Sequence, residues 1–252
     1  MTPMNRADSA PVSDPDYRTS HIVAGADYDT HLQERPFDAY MAAWEARHIP
    51  TIVKSLFPQG LDRYLDFACG TGRITSQIAP LARRSVAIDV SPSMMEQARV
   101  KCPQTVFHCG DITRDDMELG QFDLVSSFRF FGNAQDELRQ AALAAIVKRM
   151  VSGGYLLINS HRNPRALYAL LARLSGGNAG GMDLTLPKLR RLLAQHGLAI
   201  TRLQPIGAWL YRARLMHEAQ ADSAAAIRNE RRFSRAAVAA VAPDTIVVAR
   251  KE

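Results

Sequence analysis

Three carboxylates and a pair of glycines are the residues whose types and spacing could do chemistry in this sequence. Gly70 and Gly72 stand in the segment Asp66-Phe67-Ala68-Cys69-Gly70-Thr71-Gly72, between a short apolar run, Tyr64 to Phe67, and helical spacing at Ile74, Ile78 and Leu81. A glycine turn between a strand and a helix lets backbone approach a ligand closely and offers it the free N–H groups of the helix start. The third position of the dinucleotide fingerprint falls on Thr75, so no glycine serves a diphosphate there. Asp66 would repel a diphosphate, yet it suits a ligand carrying an ammonium group and a sulfonium centre. Asp89 closes a second run, Ser85 to Val90, where a carboxylate can accept hydrogen bonds from both ribose hydroxyls. Asp111 follows a third run, Thr105 to His108, and could take an exocyclic adenine amine. Acids ending three successive strands would share one edge of a parallel sheet, the edge where open α/β sheets bind ligands.

The elements that must position these residues follow from periodicity. Phe37, Tyr40, Met41, Trp44, His48, Ile49, Ile52, Val53 and Leu56 repeat at helical spacing, with Pro50 expected to kink or divide the helix. After Asp89, Ser91 is a good cap and Pro92 a suitable first residue for a helix over Ser93 to Val100. A fourth strand is expected at Phe122 to Ser126, then a helix from about Asp136 to Met150, and after Gly153-Gly154 a fifth strand, Tyr155 to Asn159. Strands alternating with helices imply a parallel sheet covered on both faces. Beyond Asn159 the alternation loosens. Helices are expected near Pro164 to Leu174 and Pro187 to His196, a strand at Leu198 to Leu203, a long helical stretch at about Tyr211 to Val241, and a last strand at Thr245 to Ala249. The fold class is therefore α/β, with one domain over residues 27–252, insertions near 163–183 and 208–241, and a partly ordered N-terminal arm over 1–26.

Taken in order, these segments resemble the class I, Rossmann-like S-adenosylmethionine-dependent methyltransferases. Tyr64 to Gly72 looks like the first motif of that family, Ala87-Ile88-Asp89-Val90-Ser91-Pro92 the second, and Gly110-Asp111-Ile112 the third. Phe122 to Ser127 matches the strand that follows, and Gly153 to Ile158 the later glycine-strand segment. The resemblance covers roughly Asp62 to Asn159. It implies a seven-stranded, mostly parallel sheet with an antiparallel last strand at its edge, and helical insertions forming a substrate cap. It also implies S-adenosyl-L-methionine as cofactor, with S-adenosyl-L-homocysteine as product. Asp66, Ala68, Gly70 and Gly72 would surround the methionine part, with Arg73 against its carboxylate. Asp89 would hold the ribose, Val90 and Met94 or Met95 would face the adenine, and Asp111 and the backbone of Ile112 its edge. Ser127 or Phe128 would close over the cofactor near the methyl, and Tyr28 resembles the aromatic that small-molecule members place above it.

Methyl transfer from a sulfonium needs acceptor, methyl and sulfur held in line more than it needs covalent help. A hydroxyl acceptor gains from a base, and His161, directly after the fifth strand, is the first candidate; a carboxylate or phosphate acceptor needs none. Arg129, after the fourth strand, could anchor an acidic group of the acceptor, as could Arg162 and Arg165. The motif typical of adenine-N6 or glutamine methylation is replaced by Ser126-Ser127-Phe128-Arg129, which points away from DNA bases. The acceptor is accordingly read as a small molecule or glycan, with an anionic one among the options.

Bulk properties agree. The 252 residues are 47% hydrophobic and 22% charged, the profile of a globular protein, and no window reaches the roughly 20 apolar residues of a membrane span. Cys69, Cys102 and Cys109 are too few for a disulfide framework or a four-thiolate zinc site; Cys69 and Cys109 read as small buried thiols, suited to a reducing cytoplasm. Net charge is +6, with Arg212, Arg214, Arg228, Arg231, Arg232 and Arg235 crowded near the C-terminus. That cluster keeps an RNA or protein methyltransferase as the second reading, though no RNA-binding module is recognisable. A catalytically silent cofactor-binding protein is the third.

Overall fold

The computed structural model describes residues 34–115, 117–174, 184–211, 215 and 219–252. The arm 1–26, Tyr28, the glycine loop 176–181, Arg212 and Arg214 lie outside the described residues.

The amphipathic stretch after Arg35 forms α1 (Pro36–Leu56), a continuous helix that carries Pro50 inside it. The proline does not divide it, because Ile49, Ile52 and Val53 on either side are buried and packing outweighs one lost hydrogen bond. β1 (Leu61–Phe67) leads through the glycine turn into the short α2 (Thr75–Ile78), followed by β2 (Ala82–Asp89) and α3 (Pro92–Lys101). Ser91 caps α3, its hydroxyl accepting from the Met94 N–H, and Pro92 takes the first helical position. Next come β3 (Val106–Cys109), β4 (Phe122–Ser127), α4 (Asp136–Lys148), β5 (Met150–Asn159), α5 (Leu167–Leu174), α6 (Leu186–Gln195) and β6 (Leu198–Ile206). α7 (Ala224–Phe233) and β7 (Asp244–Lys251) close the chain. Among the described residues of the long helix expected over 211–241, helical structure is found at residue 215, over α7 and in one 3-10 turn, Ala236–Val238. Ser223 caps its start, and the chain must leave it at Ser234 to turn back through Pro243 into β7.

The strands form one seven-stranded sheet in the order β3-β2-β1-β4-β5-β7-β6. β1 to β5 pair in parallel, whereas β7 runs antiparallel to both β5 and β6. The last strand is therefore antiparallel, as expected, but it is inserted inside the sheet and not at its edge. Its sequence explains the place: Ile246, Val247, Val248 and Ala249 are all fully buried, which a strand with two neighbours and two covered faces requires. Cys69 and Cys102 are buried, but Cys109 is exposed, because it ends the four-residue edge strand β3.

Strand alternation sorts the core into two layers. Leu65, Phe67, Val125, Leu156, Ile158 and Val247 pack against α4 and α6. Tyr64, Leu124, Leu157, Ile246 and Val248 face the other way, against α1 and α7. Two positions beyond Tyr64, Leu124 and Leu157 come Asp66, Ser126 and Asn159, so a polar row ends the α1 face of β1, β4 and β5. Because β7 runs antiparallel, its first residue, Asp244, joins that row.

The glycine turn is fitted to α3. Gly72 has φ +78°, and a Cβ there would lie 2.9 Å from the Ala98 Cβ and 3.0 Å from its Cα. Gly72→Ala should lower the unfolding free energy by about 1–3 kcal/mol, through overpacking and left-handed backbone together, as read from urea denaturation.

Candidate active site

A cavity of about 360 Å³ opens at the carboxyl ends of β1, β2, β4 and β5. Asp66, Ala68, Gly70, Arg73, Asp89, Val90, Met94, Asp111, Phe128, Arg129 and His161 all line it, residues the sequence had marked. Gly72, Ile112 and Ser127 lie outside the lining: Gly72 packs on Ala98, while Ile112 and Ser127 are buried just behind.

On the β1–β3 side, carboxylates organise the turn. Asp66 is 1% exposed; its Oδ2 accepts from Thr75 Oγ1 at 2.6 Å and its Oδ1 from Ser126 Oγ at 2.6 Å. Ser126 in turn bonds the Tyr64 hydroxyl at 2.7 Å. The two departures from the dinucleotide fingerprint are therefore partners, since the residue in the third glycine's place holds the added acid. Burial pushes the Asp66 carboxyl up to about 6, against the hydroxyls that favour its ionised form. Asp89 accepts from the Gly70 N–H at 2.7 Å and the Ser91 N–H at 2.9 Å, tying the first turn to the start of α3. Asp111 holds its own turn by accepting from the N–H and hydroxyl of Thr113.

On the β4–β5 side, ion pairs link α1 to the sheet. Asp38 receives Arg129 at 3.3 Å and Arg162 at 3.1 Å, and His161 Nε2 stands 3.3 Å from the same carboxylate. His161 Nδ1 meets Asp244 at 2.8 Å. With a carboxylate against each nitrogen, the ring satisfies both when both nitrogens carry protons; removing one turns a lone pair toward a carboxylate oxygen. Glu45, fully buried, takes Arg73 at 2.5 Å on one oxygen and Asn159 Nδ2 at 3.0 Å on the other. Asn159 also donates to Asp244 at 3.3 Å and accepts the Arg129 N–H at 2.7 Å. Burial would raise Asp38, but the hydrogen bond from His161 and the charges of Arg129 and Arg162 outweigh it and hold the carboxyl at about 2. Burial pushes Asp244 up.

Four members of this wall, Asp38, Glu45, Asn159 and Asp244, were missed as site residues. A signal existed for two: Asp38 and Glu45 stand seven apart on α1, in line with Met41 of the buried stripe, so two acids fell on an apolar face. Asp244 carried no local signal, because its place depends on the direction of β7.

Residues 65–154 match a family model described as a methyltransferase domain. Over that segment the chain is similar to the methyltransferase domain family, and its seven-stranded sheet has the Rossmann-like methyltransferase fold. The chain is 38% identical over 68 residues to magnesium-protoporphyrin O-methyltransferase of Rhodobacter capsulatus, covering 25% of this chain and 30% of that protein. It is 30% identical over 120 residues to dTDP-3-amino-3,4,6-trideoxy-alpha-D-glucopyranose N,N-dimethyltransferase of Streptomyces venezuelae, covering 46% and 49%. The chain thus spans less than half the length of either of these relatives. The methyltransferase fold extends further: magnesium protoporphyrin IX methyltransferase from Synechocystis PCC 6803 superposes with a TM-score of 0.63 at 14% identity, over 93% of this chain and 98% of that one.

The Asp38 pairing has a pH signature. A carboxyl depressed on folding contributes stability above its unfolded value near 4 and loses it as pH falls through about 2. The stability difference between wild type and Asp38→Asn should be about 2 kcal/mol at pH 6. It should shrink toward zero between about pH 4 and pH 2 in urea titrations.

Proposed function

We propose that the protein transfers the S-methyl group of S-adenosyl-L-methionine to a small-molecule or glycan acceptor by in-line displacement, releasing S-adenosyl-L-homocysteine. The observation that carries the reading is the convergence of Asp66, Asp89, Asp111 and the Ala68–Gly70 turn on one cavity. In the proposed pose the donor's methionine lies along Ala68 and Gly70 with its ammonium toward Asp66. Its ribose hydroxyls meet Asp89, whose oxygens keep acceptor capacity beyond the two N–H groups they hold. The adenine sits between Val90 and Met94 with Asp111 at its edge. Arg73 faces the donor carboxylate from its seat on Glu45. Gly72, Ile112 and Ser127 act from behind, shaping the turn and the wall, and Phe128 lies beside the methyl. Tyr28 keeps its expected place above the donor as part of the proposal.

In this pose the reacting methyl lies over β4 and β5. Holding donor and acceptor in line is worth about 7–11 kcal/mol of barrier without any covalent step. Within the reading, His161 serves the acceptor side by fixing Asp38 and so the arginines beyond it; a base role would require it to lose the proton facing one of two buried carboxylates. The relatives' names, an O-methyltransferase and an amino-sugar N,N-dimethyltransferase, favour a small acceptor. Among the described residues no helix is long and apolar enough to cross a membrane. The free thiols of Cys69, Cys102 and Cys109 suit a reducing cytoplasm, where the reading puts the activity. A nucleic-acid acceptor is not favoured, since exposed Arg228, Arg231 and Arg232 of α7 are absent from the cavity lining.

Calorimetry with S-adenosylhomocysteine tests the donor site. Wild type should bind, and Asp89→Ala should weaken binding at least tenfold, with Asp89→Asn intermediate. No heat with wild type, or unchanged affinity in Asp89→Ala, would sink the reading.

A further inference from the structure

The exposed apolar side chains of the described residues are not evenly scattered. Leu167 and Leu170 are each 38% exposed and Leu174 is 84% exposed, all on the eight-residue helix α5. Spacings of three and four place them on one stripe of that helix. A second segment runs beside it: the Leu167 N–H donates to the Val241 carbonyl at 3.0 Å, and Val241 is 38% exposed as well. The Asn163 side-chain amide fastens the two segments, donating to the carbonyls of Ala240 and Ala242 at 3.0 Å each. A contiguous apolar face costs free energy in water, and it marks a place where something docks.

The charges around this face have one sign. Residues 160–174 and 234–243, which build it, carry Arg162, Arg165, Arg173 and Arg235 and no acid. Arg162 is taken by Asp38, whereas Arg165, Arg173 and Arg235 are exposed. Arg173 donates to the Pro164 carbonyl at 3.1 Å, which holds its guanidinium beside the backbone that carries Arg165. The carboxylates close to Tyr168 of α5, Asp38 and Asp244, are buried and hydrogen-bonded within the cavity wall.

That combination decides between occupants. A second copy of the chain would set arginines against arginines, while an anionic surface would meet them with the opposite charge. The leucines form a ridge and not a groove: none of them lines the cavity, and Leu174 stands out at the end of its helix. A ridge has no walls with which to grip a shaped side chain, but it sinks readily into a fluid apolar layer. Arginine stems can then lie along that layer with their heads at the phosphates.

We propose that α5 and the Val241 segment dock the protein peripherally on an anionic lipid bilayer, leucines at the acyl boundary and arginines among the phosphates. This concerns the surface and stands without the donor reading. The docked face adjoins the cavity. Tyr168 of α5 packs on Phe37 with ring centres 6.1 Å apart, Phe37 on His161 at 5.8 Å, and His161 lines the cavity. Docking would hold that wall close to the headgroups, so an amphipathic acceptor is the class that gains from it.

The test is sedimentation of the full-length protein with sucrose-loaded vesicles, made of phosphatidylcholine alone or of phosphatidylcholine and phosphatidylglycerol in equal parts. Wild type should bind the anionic vesicles about tenfold or more tightly than the neutral ones, and less tightly as salt is raised. Leu170→Ser combined with Leu174→Ser should weaken binding by about tenfold or more. Arg165→Gln combined with Arg173→Gln should weaken it by about threefold to tenfold and flatten the salt dependence. All four side chains are exposed, so both variants should keep the wild-type urea midpoint. Failure of wild type to bind anionic vesicles would overturn the proposal. So would full binding by the leucine variant, which would reduce the contact to charge alone. Affinity for polyglutamate equal to that for the vesicles would hand the face to an acidic protein instead. A wild-type dimer in sedimentation velocity that the leucine substitutions convert to monomer would hand it to a second copy, and either result sinks the bilayer.

Discussion

Buried carboxylates between α1 and the carboxyl edge of the sheet are the constraint on which the rest depends. An isolated buried charge costs several kcal/mol, so each must find a partner of fixed geometry. Asp38 and Glu45 on α1 find theirs on β5, in the loops after β4 and β5, and in the glycine turn. These pairings set where α1 can lie, since a helix sliding by one turn would strand both acids. They also explain why β7 must run antiparallel: only then does Asp244, its first residue, reach His161 and Asn159 at the ends of β5. Apolar replacements could fill the same space at equal or lower free energy, but they would not hold arginines at a cavity wall.

The same edge thereby divides into two electrostatic halves. Over β1, β2 and β3 the acids are tied mainly by neutral donors, the hydroxyls of Thr75, Ser126 and Thr113 and the N–H groups of Gly70 and Ser91. All three acids line the cavity. Over β4 and β5 the acids are matched or outnumbered by guanidinium groups. A ligand with a cationic end and an anionic partner would be oriented by this gradient before any specific contact formed. The loop after β4 is clamped for the purpose: Arg139, itself buried, donates to the Phe131 carbonyl at 2.7 Å, fixing the segment that carries Arg129.

Most of the fold was legible because the signals were local. Apolar runs marked the strands, Ser91-Pro92 the start of α3, and the ordered acids one sheet edge. The errors have a common cause. Last-strand direction could be read from the family resemblance, but its insertion between β5 and β6 is a sheet-wide property, visible only as an apolar run on both faces. The extent of α7 was overread because alanine and arginine favour helix wherever they occur, whereas its end is set by the return to β7. The donor side of the site was legible for the same local reason: each acid sits at a strand end beside its own turn. The acceptor side was not, since Asp38, Glu45 and Asp244 are 83 to 124 positions from their partners at the ends of β4 and β5.

Asp66 shows how the two halves are joined. Its carboxyl lies on the α1 face of β1, in register with Ser126 of β4, so the acid of the donor turn is held by the strand that leads to Arg129. Any shift of β4 that moved Arg129 would also move Ser126 and loosen the Asp66 hydrogen bond. Glu45 makes the complementary link, holding Arg73 of the donor turn with one oxygen and Asn159 of the acceptor wall with the other. Donor turn and acceptor wall are therefore braced through two buried carboxylates, Asp66 and Glu45. The proposed in-line displacement tolerates little error in the distance between methyl and nucleophile, and under that reading these carboxylates set it.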